Sequence, residues 1–304
     1  MVASKIAILG PGGVGGFLAA ALANEGTDTL VVAREETAAV IEQNGIELHS
    51  VRIGDFTAHP RATTILDQPV DALFVATKAS GLEDALSRIE TAPALVIPLL
   101  NGLDHMVTLR ARFGWNAVVA GTIRIEADRP EPGKITQTSP FLRVDLASDD
   151  PALVEQLGPI RELLESARVP ATLGESESQI LWTKLVRLNA LACTTSASGR
   201  QLGFIRSDPE WRGKLLDCVN EAAAVANADG ATIDPASTIK ELEDAHAELG
   251  SSMQRDIAAG RAPELDAIAG SVLRAGKRLG VACPTIAELA AEIAESAGVP
   301  PPQL

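Results

Sequence analysis

The sequence predicts an α/β protein in which a doubly wound, mostly parallel sheet is followed by an all-helical C-terminal domain. Short apolar runs alternate with amphipathic segments through the first half, which is typical of a parallel sheet with helices on both faces. The runs are Ile6–Leu9, Leu30–Ala33, Ala72–Thr77 and Ala94–Leu99. Beyond about residue 150 the pattern becomes helical. We therefore predict a sheet domain over residues 1–172 and a helical domain over residues 173–304.

Between the strands of the first half, the periodicity of apolar residues predicts helices. They cover Val14–Ala23, Gly81–Ile89 and Asp104–Phe113. From Ala117 to Leu146 short strands are joined by turn residues, as in DRPEPGK. This part of the chain predicts antiparallel strands added to the parallel sheet.

The second half is predicted to be a set of helices. Pro151–Ala167 and Ser178–Thr194 carry helical patterns. Asp208-Pro209-Glu210 combines a capping residue, a proline at the first helical position and an acid in the first turn. We expect a long central helix from there to about residue 229. The proline-rich end, VPPPQL, is predicted to fray.

Size and charge limit the classes of function. The chain has 304 residues, 46% hydrophobic and 22% charged, which is typical of a globular enzyme. Its net charge of −14 would repel a nucleic-acid backbone, so we expect no nucleic-acid partner. No apolar stretch is long enough for a signal peptide or membrane span, so we expect a cytoplasmic protein without a membrane partner.

The cysteine and tyrosine content excludes further chemistry. Three widely spaced cysteines without a CxxC pair, Cys193, Cys218 and Cys283, argue against a disulfide framework or a zinc site. We predict no metal site. The chain has no tyrosine, which excludes a reductase that uses tyrosine as its acid.

A glycine-rich turn follows the first predicted strand and opens an alanine-rich helix. In Gly10-x-Gly12-x-x-Gly15, the first glycine permits the turn, the second lets a pyrophosphate approach the backbone, and the third lets helix and strand pack closely. The N-terminus of the helix offers free N–H groups to phosphate. The alternative is an ordinary tight corner. We predict a Rossmann-type cofactor site formed by Gly10, Pro11, Gly12, Gly13, Val14 and Gly15.

The end of the second strand bears on the choice between NAD and NADP. About 20 residues beyond the glycines, an acid is usual where the ribose 2′-hydroxyl is bound, whereas an arginine accommodates a 2′-phosphate. Arg34 stands at this point, and Glu35 and Glu36 follow it. We predict NADP(H), with a solvated surface loop as the alternative.

Lys184 is a candidate acid because it lies in a segment that is otherwise nearly uncharged, ILWTKLVRLNALACTTSASG. Hydride addition to a ketone requires a proton donor for the oxygen. Desolvation would lower the pKa of a lysine and ease proton transfer. A lysine that extends its amine to solvent from a helix end is the alternative.

Five motifs occur in order along nearly the whole chain. They are GPGGVG, LFVATK with Lys78, PLLNG with Asn101, WTKL with Lys184, and SSMQRDIAAGRAPELD with Ser252 and Glu264. With these motifs the sequence resembles the ketopantoate reductase (2-dehydropantoate 2-reductase) family. The resemblance implies a helical domain like the C-terminal domain of 6-phosphogluconate dehydrogenase.

The resemblance also implies roles for individual residues. Lys184 would be the proton donor, and Asn101 would position the ketone oxygen, the lysine and the cofactor ribose. Glu264 would contact the cofactor ribose or the substrate, and Ser252 would hold the substrate carboxylate. Lys78 would lie against the cofactor. Taken without their motif, Glu264 is simply an acid at a helix start and Ser252 a helix cap.

The chain departs from the family on the helix that carries Lys184. Members of the family have asparagines four and eight residues after the lysine, where this chain has Leu188 and Ala192. Asn189 lies about 140° around the helix from the lysine, against about 40° for the fourth residue. Thr195 returns to the lysine side if the helix continues. Asn189 and Thr195 are the candidate substrate-binding residues on this helix.

The expected function is NADPH-dependent reduction of a 2-oxo acid to a 2-hydroxy acid. The resemblance implies 2-dehydropantoate as substrate and pantoate as product, a step of pantothenate and coenzyme A biosynthesis. The apolar residues at 188 and 192 leave open a related enzyme that acts on a more apolar 2-oxo acid. A β-hydroxyacid-type dehydrogenase and a non-catalytic NADP sensor are further alternatives. Apolar helical faces in the second half allow a homodimer.

Overall fold

The chain divides into two units in a computed structural model that describes residues 4–304. The first unit comprises the described residues through Leu100 together with His105–Ile180, and the second comprises Asn101–Asp104 together with Leu181–Leu304. The predicted division has one boundary, after residue 172. The loop Asn101–Asp104 does not fit that division, because it follows a strand of the first unit in sequence but belongs to the second unit.

Within the described residues 4–304, twelve strands form three sheets. They are β1 (Lys5–Leu9), β2 (Asp28–Val32), β3 (Ile46–Ser50), β4 (Phe56–Ala58), β5 (Arg61–Thr63), β6 (Ala72–Val75), β7 (Leu95–Pro98), β8 (Ala120–Arg124), β9 (Ala127–Glu131), β10 (Lys134–Gln137), β11 (Arg143–Ala147) and β12 (Ala171–Leu173).

The central sheet is entirely parallel and has the strand order β5-β2-β1-β6-β7. From β1 the chain passes first to one side of the sheet, at β2, and later to the other side, at β6. Ligands of open α/β sheets bind at such a reversal, beyond the carboxyl end of the strand. The glycine-rich turn follows β1 at that end. The predicted parallel sheet is confirmed.

The later strands pair differently from the prediction. β9 pairs with β10 and β8 with β11, both antiparallel, as expected. They belong, however, to two further sheets of order β4-β3-β10-β9 and β12-β11-β8. Only the isolated bridge Val96–Val118 leads from the central sheet toward β8 in the described part of the chain. The prediction missed β3, whose pairing with β10 draws the β9–β10 hairpin into a separate sheet.

The part of the chain that the structure describes also contains twelve α-helices. They are α1 (Gly13–Asn24), α2 (Glu35–Asn44), α3 (Leu82–Leu86), α4 (His105–Phe113), α5 (Pro151–Ser166), α6 (Glu177–Ser198), α7 (Leu202–Ser207), α8 (Pro209–Ala228), α9 (Pro235–Asp244), α10 (Ser252–Ala258), α11 (Ser271–Leu279) and α12 (Pro284–Ala297). A 3₁₀ turn, Ala79–Gly81, precedes α3, and a π-helical turn, Asp266–Gly270, precedes α11.

The second unit has its own apolar core around α6, α8 and α12. As predicted, Asp208 caps α8 by accepting hydrogen bonds from the backbone of Glu210 and Trp211. The all-helical character of this unit, and with it the predicted fold class, is confirmed. Within residues 4–304, no helix combines the length and apolarity needed to cross a membrane.

Candidate active site

The three glycines of the fingerprint occupy three different environments at the carboxyl end of β1. Gly10 has a φ of +87°, a conformation that other residues rarely adopt. A Cβ built on Gly15 would lie 2.2 Å from the carbonyl oxygen of Gly10, so close packing of α1 on the turn requires glycine there. A Cβ on Gly12 would meet nothing within 4 Å. Gly12 therefore presents bare, accessible backbone, as the approach of a phosphate requires.

Two further glycines of this segment serve packing that the sequence did not reveal. A Cβ on Gly13 would lie 2.2 Å from the carbonyl oxygen of Ala127 in β9. One on Gly16 would lie 2.4 Å from Cδ1 of Ile135 in β10. The β9–β10 hairpin thus lies directly on the first turn of α1. Close packing against this hairpin is therefore a second reason for the many glycines in this segment, besides the predicted cofactor contact.

Arg34 is exposed and follows β2 as the N-cap residue of α2. Glu35 and Glu36 form the first turn of this helix, where carboxylates are stabilised by the helix dipole. This position gives the two glutamates a structural role at the start of the helix. The exposed guanidinium of Arg34 is the group of this segment that could bind an anion.

Lys78 is also exposed and precedes the 3₁₀ turn that follows β6. The apolar strand of the LFVATK motif ends at Val75, so Lys78 stands in the connection beyond the sheet. β6 is the neighbour of β1. Lys78 and the glycine turn therefore follow adjacent strands at the same edge of the central sheet.

Asn101 and Glu264 are brought together by the fold of the second unit. Nδ2 of Asn101 donates a hydrogen bond to Oε2 of Glu264 over 3.0 Å, although 163 residues separate them. Gly102 has a φ of +83°, and a Cβ there would lie 2.1 Å from the carbonyl oxygen of Ala267. The Asn-Gly pair of the PLLNG motif is thus explained: glycine permits the contact and asparagine makes the hydrogen bond.

Glu264 stands two residues before the π-helical turn Asp266–Gly270. Regular helical structure starts after it, and the backbone N–H of Ile268 donates to the carbonyl oxygen of Glu264 over 3.0 Å. As an acid expected at a helix start, Glu264 lies directly before the first helical residue, Leu265. The π turn was not predicted, because the sequence carries no periodic signal for it. Such turns are frequent at functional sites.

Lys184 lies in the middle of α6 and is half-buried. Its neighbours Trp182, Leu185 and Val186 are buried in the core of the second unit. The indole N–H of Trp182 donates to Oδ2 of Asp229 over 2.9 Å, so this tryptophan anchors the helix by packing and by a hydrogen bond. Lys184 therefore leaves the core from a helix that is firmly held on both sides of it.

The helix continues without a bulge from Glu177 to Ser198, which fixes the direction of the residues after Lys184. Leu188 is partly buried against the core, and Ala192 is fully buried. Asn189 is fully buried as well; its side-chain Oδ1 accepts a hydrogen bond from Sγ of Cys193 over 3.5 Å, and its Nδ2 has no partner among the described residues. In this structure Asn189 offers no accessible surface to a substrate.

Thr195 and Ser251 form a buried hydroxyl pair beside Ser252. Oγ1 of Thr195 donates to the carbonyl oxygen of Leu191 over 2.6 Å and lies 3.0 Å from Oγ of Ser251. A hydroxyl has one proton, so Ser251 is the donor in that pair. Ser251 also caps α10 by accepting from the backbone of Gln254, and Ser252 is exposed at the first position of this helix. The cap is thus Ser251 rather than Ser252.

The three cysteines are buried and free. Burial raises the pKa of the Cys193 thiol to about 12 and that of Cys283 to about 11, and it raises the pKa of Cys218 as well. None of these thiols would be ionised near neutral pH, so they cannot act as nucleophiles. No group of three potential metal-binding side chains occurs within residues 4–304.

Comparison with known proteins gives consistent matches over both units. Residues 6–147 match the family model "Ketopantoate reductase PanE/ApbA", and residues 178–297 match its C-terminal model. A 2-dehydropantoate 2-reductase of Caulobacter vibrioides is 30% identical over 304 residues, covering 95% of this chain and 97% of that protein.

Solved structures agree in fold. The 2-dehydropantoate 2-reductase of Geobacter metallireducens superposes with a TM-score of 0.87 at 26% identity, covering 96% of this chain and 99% of that one. A D-mandelate dehydrogenase solved with NADH and anilino(oxo)acetate superposes with a TM-score of 0.88 at 20% identity, covering 97% and 98%. At that identity the second likeness concerns the fold alone.

Proposed function

The chain belongs to the ketopantoate reductase family, and on this basis we propose that it reduces a 2-oxo acid to a 2-hydroxy acid with NADPH. The resemblance of the five motifs is thereby confirmed. The observation that carries the proposal is the hydrogen bond between Asn101 and Glu264. It joins two separate motifs into one polar group within the unit that also carries Lys184.

Each residue of this group has a chemical task in the proposal. Reduction breaks the C–O π bond, and its electron pair takes up a proton at oxygen while the carbon receives a hydride. Lys184 donates that proton from a half-buried amine. Asn101 uses one of its two Nδ2 hydrogens on Glu264, which fixes the amide so that the other can point at the ketone oxygen. Ser252, exposed at the start of α10, binds the substrate carboxylate.

The first unit fits a dinucleotide. Open space at Gly12, free N–H groups at the start of α1, and the position beyond β1 are what a pyrophosphate requires. NADPH bound there supplies the hydride. Arg34 would hold the 2′-phosphate, and Lys78 would add positive charge at the same edge of the sheet. Pro11, Gly13 and Val14 complete the proposed turn.

Replacement of Arg34 by alanine should raise KM for NADPH about 10- to 100-fold and leave KM for NADH nearly unchanged. The reason is that a hydrogen bond to a charged group contributes about 1.5–3 kcal/mol. Steady-state kinetics with both cofactors measures this. Arg61→Ala is the matched control, since Arg61 is an exposed arginine of the same unit whose partner is Asp28 at 2.8 Å. Equal loss with both cofactors, or a wild-type preference for NADH, would contradict the role of Arg34.

For the substrate we propose 2-dehydropantoate, and with it a place in pantothenate synthesis, as the first candidate. A more apolar 2-oxo acid is the second, favoured by Leu188, which is only partly buried. A surface that hydrogen-bonds a substrate hydroxyl discriminates strongly against substrates without one, whereas an apolar surface discriminates weakly. Turnover of a panel containing 2-dehydropantoate, 2-oxoisovalerate, 2-oxoisocaproate and phenylglyoxylate decides between the two.

Replacement of Leu188 by asparagine should shift kcat/KM toward 2-dehydropantoate, relative to 2-oxoisocaproate, by about tenfold or more. An amide at this position supplies the hydrogen bond that leucine cannot make. Leu188→Ala is the matched variant, because it shortens the side chain without adding a polar group. A ratio that moves equally in both variants would mean that size, and not hydrogen bonding, governs selectivity here.

The other classes of function have distinct outcomes in the same assays. NADPH binding without turnover of any 2-oxo acid would favour a sensor. Oxidation of a hydroxy acid as the preferred direction would favour a β-hydroxyacid-type dehydrogenase. We also propose a homodimer, which analytical ultracentrifugation of the full chain would test.

A further inference from the structure

Arg274 on α11 connects three separate segments of the second unit. Its Nη2 donates to Oδ2 of Asp104 over 2.7 Å, in the loop Asn101–Asp104. Its Nη1 donates to Oδ1 of Asp266 over 2.8 Å, in the π turn, and Nη2 also donates to the backbone carbonyl of Asp266 over 2.8 Å. A further bond of 2.8 Å joins Nη1 to the carbonyl oxygen of Gln303 near the C-terminus.

Both segments that carry the Asn101–Glu264 bond are therefore held by one guanidinium. Asp104 ends the loop that begins with Asn101, and Asp266 lies two residues beyond Glu264. Between these ends, Gly102 packs against the carbonyl oxygen of Ala267 in the π turn. The loop and the turn thus contact each other at the hydrogen bond, at the glycine and at the arginine.

We propose that Arg274 is a positioning residue that clamps the loop Asn101–Asp104 to the π turn and thereby fixes the hydrogen bond between Asn101 and Glu264. The guanidinium suits this task because its planar set of five N–H donors can serve several acceptors in one fixed geometry. The effect of the clamp on catalysis rests on the proposed function. The clamp itself does not.

The C-terminal tail is part of the clamp. The sequence predicted that VPPPQL frays, whereas Gln303 accepts from Arg274 and Val299 donates to the carbonyl oxygen of Ala294 over 3.0 Å. Pro302 lies beside Gly270 in the π turn, 3.1 Å from where a Cβ on that glycine would stand. The tail therefore contacts both the arginine and the π turn.

Loss of the clamp should change the position of the loop Asn101–Asp104 more than it changes the free energy of unfolding. Asp104 and Asp266 have side chains that are 54% and 64% exposed, and ion pairs with exposed partners contribute little to the free energy of unfolding. The side chain of Arg274 is itself only 27% exposed, so Arg274→Ala should lower Tm slightly. The loop, freed from the π turn, should sample other positions, and Asn101 would meet the ketone oxygen in the right place less often.

The test compares Arg274→Ala and Arg274→Lys with Arg212→Ala in the full chain. Arg212 is a half-exposed arginine of the same unit that pairs with Glu243 over 2.6 Å, so it controls for the loss of a surface ion pair. Hydrogen exchange, followed by mass spectrometry, should be about tenfold faster in peptides covering Asn101–Asp104 in Arg274→Ala and unchanged in Arg212→Ala. This measurement needs no substrate. Unchanged exchange in Arg274→Ala overturns the clamp.

Kinetics then tests the consequence for catalysis. With the best 2-oxo acid, Arg274→Ala should lower kcat about 10- to 100-fold, because small displacements of a positioning group are costly. KM should change less, and Arg274→Lys should restore part of the rate. Asn101→Ala should cost far less in the Arg274→Ala background than in the wild type. Additive effects of the two substitutions, or unchanged kcat despite faster exchange, would overturn the positioning role.

The two proposals fail separately in this design. If the wild type reduces no 2-oxo acid of the panel, the proposed function fails, and faster exchange in Arg274→Ala still supports the clamp. If the wild type is active and exchange does not respond to Arg274, the clamp fails and the proposed function stands.

Discussion

Replacement of Lys184 by alanine is expected to lower kcat by a factor of about 10²–10⁴, the range that general acid catalysis contributes. Lys184 is half-buried on α6, between buried residues of the second core, and is proposed to supply the proton that the ketone oxygen takes up. Without it, water would have to reach the same oxygen and act as a weaker, poorly placed acid. The measurement is single-turnover reduction of the best 2-oxo acid, followed at the absorbance of NADPH.

Two matched variants distinguish proton donation from charge. Lys184→Arg keeps a positive charge, but a guanidinium does not release its proton near neutral pH, so this variant should remain slow. Lys240→Ala removes an exposed lysine that pairs with Asp244 over 2.7 Å, and it should not change kcat. A loss of less than tenfold in Lys184→Ala would remove this residue from the role of general acid.

Alanine in place of Gly15 is expected to destabilise the fold, whereas alanine in place of Gly12 is expected to weaken NADPH binding without changing stability. At Gly15 the new Cβ would lie 2.2 Å from a backbone oxygen, so α1 must shift. Such overpacking typically costs about 1–3 kcal/mol of unfolding free energy. At Gly12 the Cβ meets no protein atom, so Tm should hold while the affinity for NADPH falls at least tenfold, because the methyl group occupies the approach of the phosphate.

Thermal unfolding and fluorescence titration of NADPH measure the two quantities. Gly158→Ala is the control, since Gly158 lies in α5 and its Cβ would also meet nothing within 4 Å. Alanine should slightly stabilise that helix. NADPH affinity that is unaffected in Gly12→Ala would argue that the turn is only a corner of the fold.

Much of the fold was predictable because four strands of the central sheet, β1, β2, β6 and β7, are short and mainly apolar runs that are almost completely buried. Ile6 and Ile8 in β1 illustrate this, with no exposed surface. The edge strand β5, RAT, is neither apolar nor buried and was not predicted. The second sheet was missed for a physical reason. β3 is half-covered and alternates buried and exposed residues over only five positions, IELHS, a pattern too short to stand out.

The site was predictable where chemistry requires particular residues in a particular order. Lys184 and the glycines around Gly12 were proposed in this way, and Asn101 and Glu264 were proposed from the motifs of the resemblance; their roles stay predictions. Asn189 was a candidate because it is polar, but the continuous helix buries it. Arg274 could not be found from sequence, because its importance lies in the distances that join Asp104, Asp266 and Gln303. No local pattern encodes those distances.

The place of Asn101–Asp104 has a consequence for exchanging halves between relatives. The loop is encoded in the first half of the chain, and its partners Glu264, Ala267 and Arg274 are encoded in the last fifth. A chimaera cut once between the sheet and the helices would combine the loop of one parent with the π turn of the other. The loop Asn101–Asp104 and the π turn should therefore come from the same parent. A hybrid built in this way needs two splice points around the loop as well as the one between the units.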